Sequence, residues 1–232
     1  MTTRAVGADT AIAAPGIARE ILARGAGWRL TEHEVATYHQ AGLIKPELRL
    51  DATILAELRD ALERLIADNT QHAPEALVCP NIDNGKPGGA EQAERWFKLC
   101  TQPDILNLVE QLIGPDIILW GSQVFCKPAR TGRFVPWHQD GKYWPMRPLA
   151  ACSVWIAIDD ADRANGCMRY VPGSHRRGAL HQHRLSVRND VVLAQEVVPG
   201  EFNEADARYD ELAAGEFSLH DVYLIHGSEA NQ

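Results

Sequence analysis

The second half of this chain contains several short apolar segments separated by turns, and this pattern limits the possible folds more than any other feature. The segments are rich in β-branched and aromatic residues, which favour extended backbone. They cover residues 117–127, 153–158, 168–171, 191–198 and 216–225. Because no helical pattern lies between them, this half predicts an antiparallel sandwich or barrel rather than a parallel sheet.

The first half has helical periodicity instead. Thr31 followed three residues later by Glu34 has the spacing of a capping box, which predicts a helix ending at Gly42. Apolar residues at three- and four-residue intervals predict further helices over residues 54–66, 96–100 and 105–113. The intervening residues 69–90 are rich in Gly and Pro and predict a long loop that could serve as a lid.

Helices followed by strands predict an α+β chain whose strand-rich half is a jelly roll. We expect an N-terminal extension over residues 1–29 and a single domain over residues 30–232. Within that domain, the helical part is predicted over about residues 30–115 and the jelly roll over about residues 116–232.

Composition excludes several classes of protein. The chain carries 23 basic and 31 acidic side chains, a net charge of −8, which argues against a nucleic-acid partner. Its five cysteines are scattered and form no Cys-x-x-Cys pair, which is typical of a reducing compartment. No stretch approaches the roughly 20 apolar residues of a membrane span. We therefore predict a cytoplasmic protein without a membrane partner and leave the oligomeric state open.

The strongest chemical signal is the pair His138 and Asp140. Residues two apart on an extended strand point to the same side, so an imidazole and a carboxylate would lie together. The best candidate for a third metal ligand is His226, near the C-terminus. Two histidines and one carboxylate leave coordination positions open, as in non-haem Fe(II) sites that react with O2. His-x-Asp alone is a weak signal, since such histidines are often surface residues or hydrogen-bonded core residues.

Several blocks of sequence follow one another along the chain: His138-Gln139-Asp140-Gly141, Tyr143-Trp144-Pro145, residues 154–160, Asn165-Gly166-Cys167-Met168, Pro172-Gly173-Ser174-His175, and His226-Gly227-Ser228 with Asn231. Together these blocks resemble the phytanoyl-CoA dioxygenase family of Fe(II)- and 2-oxoglutarate-dependent oxygenases. The resemblance implies a cupin-like double-stranded β-helix with its N-terminal helices packed on the outside. It also implies that His138, Asp140 and His226 bind Fe(II).

The resemblance further implies the reaction. The cosubstrates would be 2-oxoglutarate and O2, and the products would be succinate, CO2 and a hydroxylated small or medium-sized organic molecule. Since the carboxylate of Asp140 is present, hydroxylation is favoured over halogenation. The alternative is a non-catalytic jelly-roll protein that binds a metal or ligand without turnover. A zinc hydrolase is disfavoured because no candidate general-base Glu lies near His138.

For the cosubstrate, the family comparison points to Gln123, Gln139 and Trp155. Each has a simpler alternative: Trp155 in an apolar strand could be part of the core, and Gln139 could face solvent opposite the metal ligands. Lys127 could attract an anion or lie exposed at a strand end, and the exposed position is favoured.

The residues just after the metal ligands are predicted to form the substrate entrance, because they combine apolar surface with positive charge. They are Lys142, Tyr143, Trp144, Met146 and Arg147. This combination favours a substrate that carries a carboxylate or a similar anion.

One part of the family pattern lies outside this sequence. An arginine about ten residues after the distal histidine ordinarily holds the far carboxylate of 2-oxoglutarate, whereas Gln232 is six residues after His226. Three interpretations are open: the chain is truncated and lacks the final strand, another basic residue substitutes, or 2-oxoglutarate is not bound. Truncation is favoured because the sequence ends within a motif.

The remaining histidines receive structural interpretations. His181 and His183 lie in a basic segment that predicts a solvated loop. His220 lies six residues before His226, an even spacing that would place both on one face of a regular strand. His220 could support the site or face the substrate, but we do not predict it to be a metal ligand.

Overall fold

A computed structural model describes residues 27–83, 89–130 and 132–232. Four helices precede most of the strands: α1 (Glu32–Ala41), α2 (Ala52–Asp68), α3 (Gly89–Cys100) and α4 (Pro103–Ile113). The strands are β1 (Leu43–Ile44), β2 (Val135–His138), β3 (Cys152–Ile156), β4 (Met168–Tyr170), β5 (His183–Leu185), β6 (Gln195–Val197), β7 (Arg208–Asp210), β8 (Phe217–Asp221) and β9 (His226–Ser228). Within the described part of the chain, no helix has both the length and the apolar character needed to cross a membrane.

Helix α1 begins and ends as its local sequence predicts. The Thr31 hydroxyl accepts a hydrogen bond from the Glu34 backbone N–H at 3.2 Å, and the Glu34 carboxylate accepts one from the Thr31 N–H at 2.7 Å. Gly42 follows the last helical residue with a left-handed φ of 83°. The predicted capping box and glycine end are therefore confirmed.

The strands form two antiparallel sheets and one hairpin. The first sheet has the order β1-β8-β3, the second has the order β2-β9-β4-β7, and β5 pairs with β6. The two sheets face each other, since Ser218 on β8 donates a hydrogen bond to Asp210 on β7 at 2.6 Å. This arrangement confirms the predicted α+β jelly roll.

The two faces of β8 explain how the helices pack. Phe217 and Leu219 are fully buried in the core that the helices form, and the Phe217 ring stacks on Trp28 with centroids 5.3 Å apart. Ser218 and His220 alternate with them and point into the space between the sheets. The helices thus cover the outer face of the three-stranded sheet and leave polar groups on its inner face.

Trp28 lies two residues before the predicted start of the domain, and residues 1–26 of the predicted extension lie outside the described residues.

The prediction of a strand over residues 117–127 is wrong. This segment forms one isolated bridge, between Gln123 and Val78, and its neighbouring hydrogen bonds also go to the loop after α2. Ile118 is 87% exposed, whereas Val124 is buried and Ile117 and Cys126 pack against the core. The segment is therefore held by packing and by isolated hydrogen bonds rather than by a ladder of paired strands. That loop also contains a short 3-10 helix, Pro74–Ala76.

The predicted strands over residues 191–198 and 216–225 are shorter in the structure. The first contains only β6, and the second contains only β8, which ends at Asp221. After β8 the backbone N–H of Tyr223 donates to the Asp221 carboxylate at 2.8 Å, and that of Leu224 donates to the Asp221 carbonyl at 2.9 Å. This turn carries the chain from the three-stranded sheet to β9 in the opposite sheet.

Candidate metal centre

The three predicted metal ligands converge between the sheets. His138 ends β2, Asp140 begins a 3-10 turn two residues later, and His226 begins β9 opposite His138 in the β2–β9 register. One ligand atom from each lies within 4.8 Å of the others. Asp140 Oδ1 is 3.5 Å from His138 Nε2 and 3.6 Å from His226 Nε2. The extended backbone of Gln139 keeps His138 and Asp140 on one side, although the strand itself ends at His138.

Both imidazoles have their second nitrogen fixed by the backbone. His138 Nδ1 lies 2.9 Å from the Pro136 carbonyl, and His226 Nδ1 lies 3.0 Å from the Leu224 carbonyl. A carbonyl oxygen only accepts hydrogen bonds, so each Nδ1 carries a hydrogen, and the nitrogen that is left to offer a lone pair to a metal is Nε2. Hydrogen bonds of this kind orient histidine ligands in metal sites.

The two oxygens of Asp140 have different surroundings. Oδ2 accepts a hydrogen bond from Ser153 Oγ at 2.7 Å and lies 3.3 Å from His220 Nε2. Oδ1 faces the Nε2 atoms of His138 and His226. Three atoms with free lone pairs therefore converge, and a cation between them would turn their mutual repulsion into coordination. Two imidazoles and one carboxylate are a donor set that suits a non-haem divalent iron.

The surroundings favour the protonation states that metal binding needs. Burial by itself raises the pKa of Asp140, but the imidazoles of His226, His138 and His220 outweigh it and hold this pKa well below its usual range. Burial, reinforced by His138, lowers the pKa of His226 to about 3. At neutral pH the carboxylate is ionised and the His226 ring is neutral, as metal ligation requires.

His220 reaches the site from the opposite sheet. Its ring centroid is 4.7 Å from that of His226, yet His220 is on β8 and His226 is on β9. The regular strand that would place both on one face is not formed, because the turn after Asp221 moves the chain between sheets. His220 nevertheless contacts Asp140, as the supporting role suggested from the sequence would require. Sequence reasoning also missed Ser153, whose only signal was its position two residues before Trp155 on an alternating strand.

Gln139, between two predicted ligands, is completely buried. Its side-chain amide donates to the Tyr223 carbonyl at 2.6 Å and accepts from the His181 N–H at 2.7 Å. The alternative that it faces solvent is therefore wrong. Gln139 joins the ligand segment to two loops, and a contact between Gln139 and 2-oxoglutarate stays a prediction.

The other two predicted cosubstrate residues differ in exposure. Trp155 is on the same face of β3 as Ser153, and its indole nitrogen is buried without a hydrogen-bond partner among the described residues. Its ring lies 5.5 Å from that of Phe125. Gln123 is exposed and contributes its backbone to the bridge with Val78. Trp155 thus leaves a buried donor near the candidate metal ligands, which a bound acceptor would satisfy.

Of the predicted entrance residues, Tyr143 lies beside the metal centre. Its ring centroid is 6.1 Å from that of His138, and its hydroxyl donates to the Gln195 carbonyl at 3.1 Å. Trp144 and Met146 are partly buried, whereas Lys142 and Arg147 are exposed. The residues predicted to form the entrance therefore include one hydrogen-bonded phenol and two charged groups in solvent.

Two interpretations of basic residues are wrong. His181 is not solvated, because its side chain is 11% exposed and pairs with Glu201 at 3.0 Å. His183 is not solvated either, since it begins β5 with a buried Nε2.

Lys127 is not exposed at a strand end. Its ammonium group lies 3.2 Å from the Gly166 carbonyl and also bonds Ser228 Oγ and the Glu229 carbonyl, and burial lowers its pKa to about 8.

The two facing sheets and the buried His–Asp–His group define a jelly-roll protein with a candidate metal centre of the non-haem iron type. The model of the family described as phytanoyl-CoA dioxygenase (PhyH) matches residues 38–232. The chain belongs to the phytanoyl-CoA dioxygenase family.

Similar proteins occur in Homo sapiens and in Stutzerimonas stutzeri. The human peroxisomal phytanoyl-CoA dioxygenase is 32% identical over 169 residues, which cover 70% of this chain and 48% of that protein. A probable alpha-ketoglutarate-dependent hypophosphite dioxygenase from Stutzerimonas stutzeri is 31% identical over 137 residues, or 57% of this chain and 46% of that protein. The chain thus spans less than half the length of these relatives.

A solved structure has the same fold. The apo form of the non-heme monooxygenase ThoJ superimposes with a TM-score of 0.67 at 29% sequence identity. The superposition covers 85% of this chain and 71% of ThoJ. The likeness extends over both the helical half and the sheets.

Proposed function

We propose that this protein is an Fe(II)- and 2-oxoglutarate-dependent dioxygenase that hydroxylates a small or medium-sized organic substrate and releases succinate and CO2. The observation that carries the proposal is the buried convergence of His138 Nε2, Asp140 Oδ1 and His226 Nε2, each ready to donate a lone pair. We further propose that residues 30–232 act as a single oxygenase domain, in a cytoplasmic protein without nucleic-acid or membrane partners.

His138, Asp140 and His226 would hold the iron. When bound, iron with 2-oxoglutarate supplies the oxidising power that activates O2 towards a C–H bond. The protein contributes the fixed imidazole orientations, the ionised carboxylate and a site shielded from water, since both histidines are less than 10% exposed. Shielding matters because water would compete for open coordination positions.

Trp155 is the best-supported contact for 2-oxoglutarate. Its buried indole N–H lacks an acceptor within the described part of the chain, and a carboxylate oxygen of the cosubstrate would supply one. Gln123 and Gln139 remain in the proposed cosubstrate set. Lys127 adds a positive charge next to Ser228, two residues after His226 on β9, so it is our candidate for a substituting basic residue.

The substrate is proposed to carry an anionic group recognised by Lys142 or Arg147, with Tyr143 and Trp144 supplying apolar surface. Matched pairs of carboxylated and neutral candidates test this in turnover assays that measure succinate release. We expect the carboxylated member of each pair to react faster. Equal rates across the pairs would argue against an anionic substrate.

Anaerobic reconstitution tests the function itself. We expect the protein, expressed from its complete reading frame, to bind about one Fe(II) per chain and then to develop a visible metal-to-ligand absorption band as 2-oxoglutarate is added. Zn(II) in place of Fe(II) is the control and should give no band. Iron binding without the band would support the non-catalytic alternative, and failure to bind iron would remove the proposed metal centre.

A further inference from the structure

We propose that Ser153 and His220 form a carboxylate clamp, which holds Oδ2 of Asp140 so that only Oδ1 is presented to the metal. Both would be positioning residues, since they act on the iron through Asp140. The inference rests on the proposed function, and it assigns roles to two residues outside the predicted ligand set.

The clamp is built from one cross-strand pair. Ser153 on β3 and His220 on β8 are direct partners in the antiparallel register, so their side chains emerge together on the inner face of the three-stranded sheet. Asp140 follows β2, which belongs to the opposite sheet. One sheet thus carries the candidate ligand, and the other sheet fixes its orientation.

The hydrogen-bonding capacities of these groups match. An ionised carboxylate oxygen has two lone pairs, and Oδ2 meets two donors: the Ser153 hydroxyl at 2.7 Å and His220 Nε2 at 3.3 Å. His220 is 3% exposed, and its other nitrogen, Nδ1, is buried without a hydrogen-bond partner in the described chain. The contact with Asp140 is therefore what orients the His220 ring.

The consequence concerns the number of open coordination positions. A carboxylate that ligates through both oxygens would occupy two positions on the metal, whereas one that ligates through Oδ1 occupies one. Together with His138 and His226, single-oxygen ligation by Asp140 would supply three protein ligands and leave room on the ion for a bidentate 2-oxoglutarate and O2.

Anaerobic titration with Co(II) as the probe tests the clamp, because the visible absorption of Co(II) changes with coordination number. We expect Ser153→Ala and His220→Leu each to weaken Co(II) binding about tenfold, and the double variant about 100-fold, with a changed spectrum. His220→Gln keeps an N–H donor at the same reach and should restore affinity to within about threefold. Thermal unfolding of the metal-free proteins checks that each variant is folded.

A purely structural role predicts different results. It would lower the unfolding temperature of the metal-free variants while leaving Co(II) affinity and spectrum unchanged, and that outcome would overturn the clamp. Ser153→Ala removes a single hydroxyl, so it provides the test even if His220→Leu does not fold. Wild-type protein that binds Co(II) but never turns over 2-oxoglutarate would contradict the proposed function alone, whereas failure of the wild type to bind Co(II) would contradict both.

Discussion

Replacement of Asp140 by alanine is expected to abolish hydroxylation and to weaken Fe(II) binding by at least about 10³-fold, or about 4 kcal/mol. The substitution removes the anionic member of the three converging donors and leaves two imidazoles, which carry no negative charge to offset that of a divalent ion in a buried site. Anaerobic Fe(II) titration measures the affinity, and succinate release measures turnover.

Asp116→Ala is the matched control for this substitution. Asp116 is an exposed carboxylate that does not belong to the His–Asp–His group, so its loss changes the net charge equally and should leave Fe(II) binding unchanged. An Asp140→Ala protein that hydroxylated its substrate at the wild-type rate would disprove the ligand assignment.

Gly227→Ala is expected to damage the metal centre without touching any ligand. A Cβ at this position would lie 2.8 Å from the Val135 carbonyl oxygen and 3.2 Å from the backbone of Pro136. These are backbone atoms of β2, which cannot rotate away, so β9 would have to move and would carry His226 away from His138. We expect a stability loss of about 1–3 kcal/mol, and metal affinity lower by about 100-fold because displacements near 1 Å have effects of that order.

The control for Gly227→Ala is the same substitution at Gly121. A Cβ there would meet only Cys79 Sγ, at 3.4 Å, which is an ordinary contact. Chemical denaturation and Co(II) titration on both variants separate general destabilisation from the effect on the site. Unchanged Co(II) affinity in Gly227→Ala would show that the spacing of β2 and β9 does not set the ligand geometry.

The elements that sequence reasoning predicted are those whose signals are local. The capping box of α1 and the β-branched and aromatic composition of β3 are local signals, and both elements are in the structure. The segment 117–127 has the same residue types as a strand but lacks a long partner, and β1 has only two residues. Strand formation there depends on pairing with distant segments, which no local pattern encodes.

The same distinction applies to the site. The spacing of His138 and Asp140 and the family resemblance were enough to predict which three groups converge. His220 was one candidate for a supporting role, but its contact with Asp140 Oδ2 and that of Ser153 were not predictable, because they depend on the register that pairs Ser153 with His220 and on the turn after Asp221. An even number of residues between two positions predicts a shared face only while both lie on one strand, and His220 and His226 lie on strands of different sheets.

The hydrogen bonds at the metal centre also bear on the order in which it can assemble. His138 and His226 bond to carbonyls two residues earlier, so their orientation is available as soon as each short segment forms. Asp140 is oriented from the other side of the sandwich and acquires its final position only when the two sheets meet. A cation that binds all three groups therefore binds only the closed sandwich, and its binding free energy adds to the stability of that state.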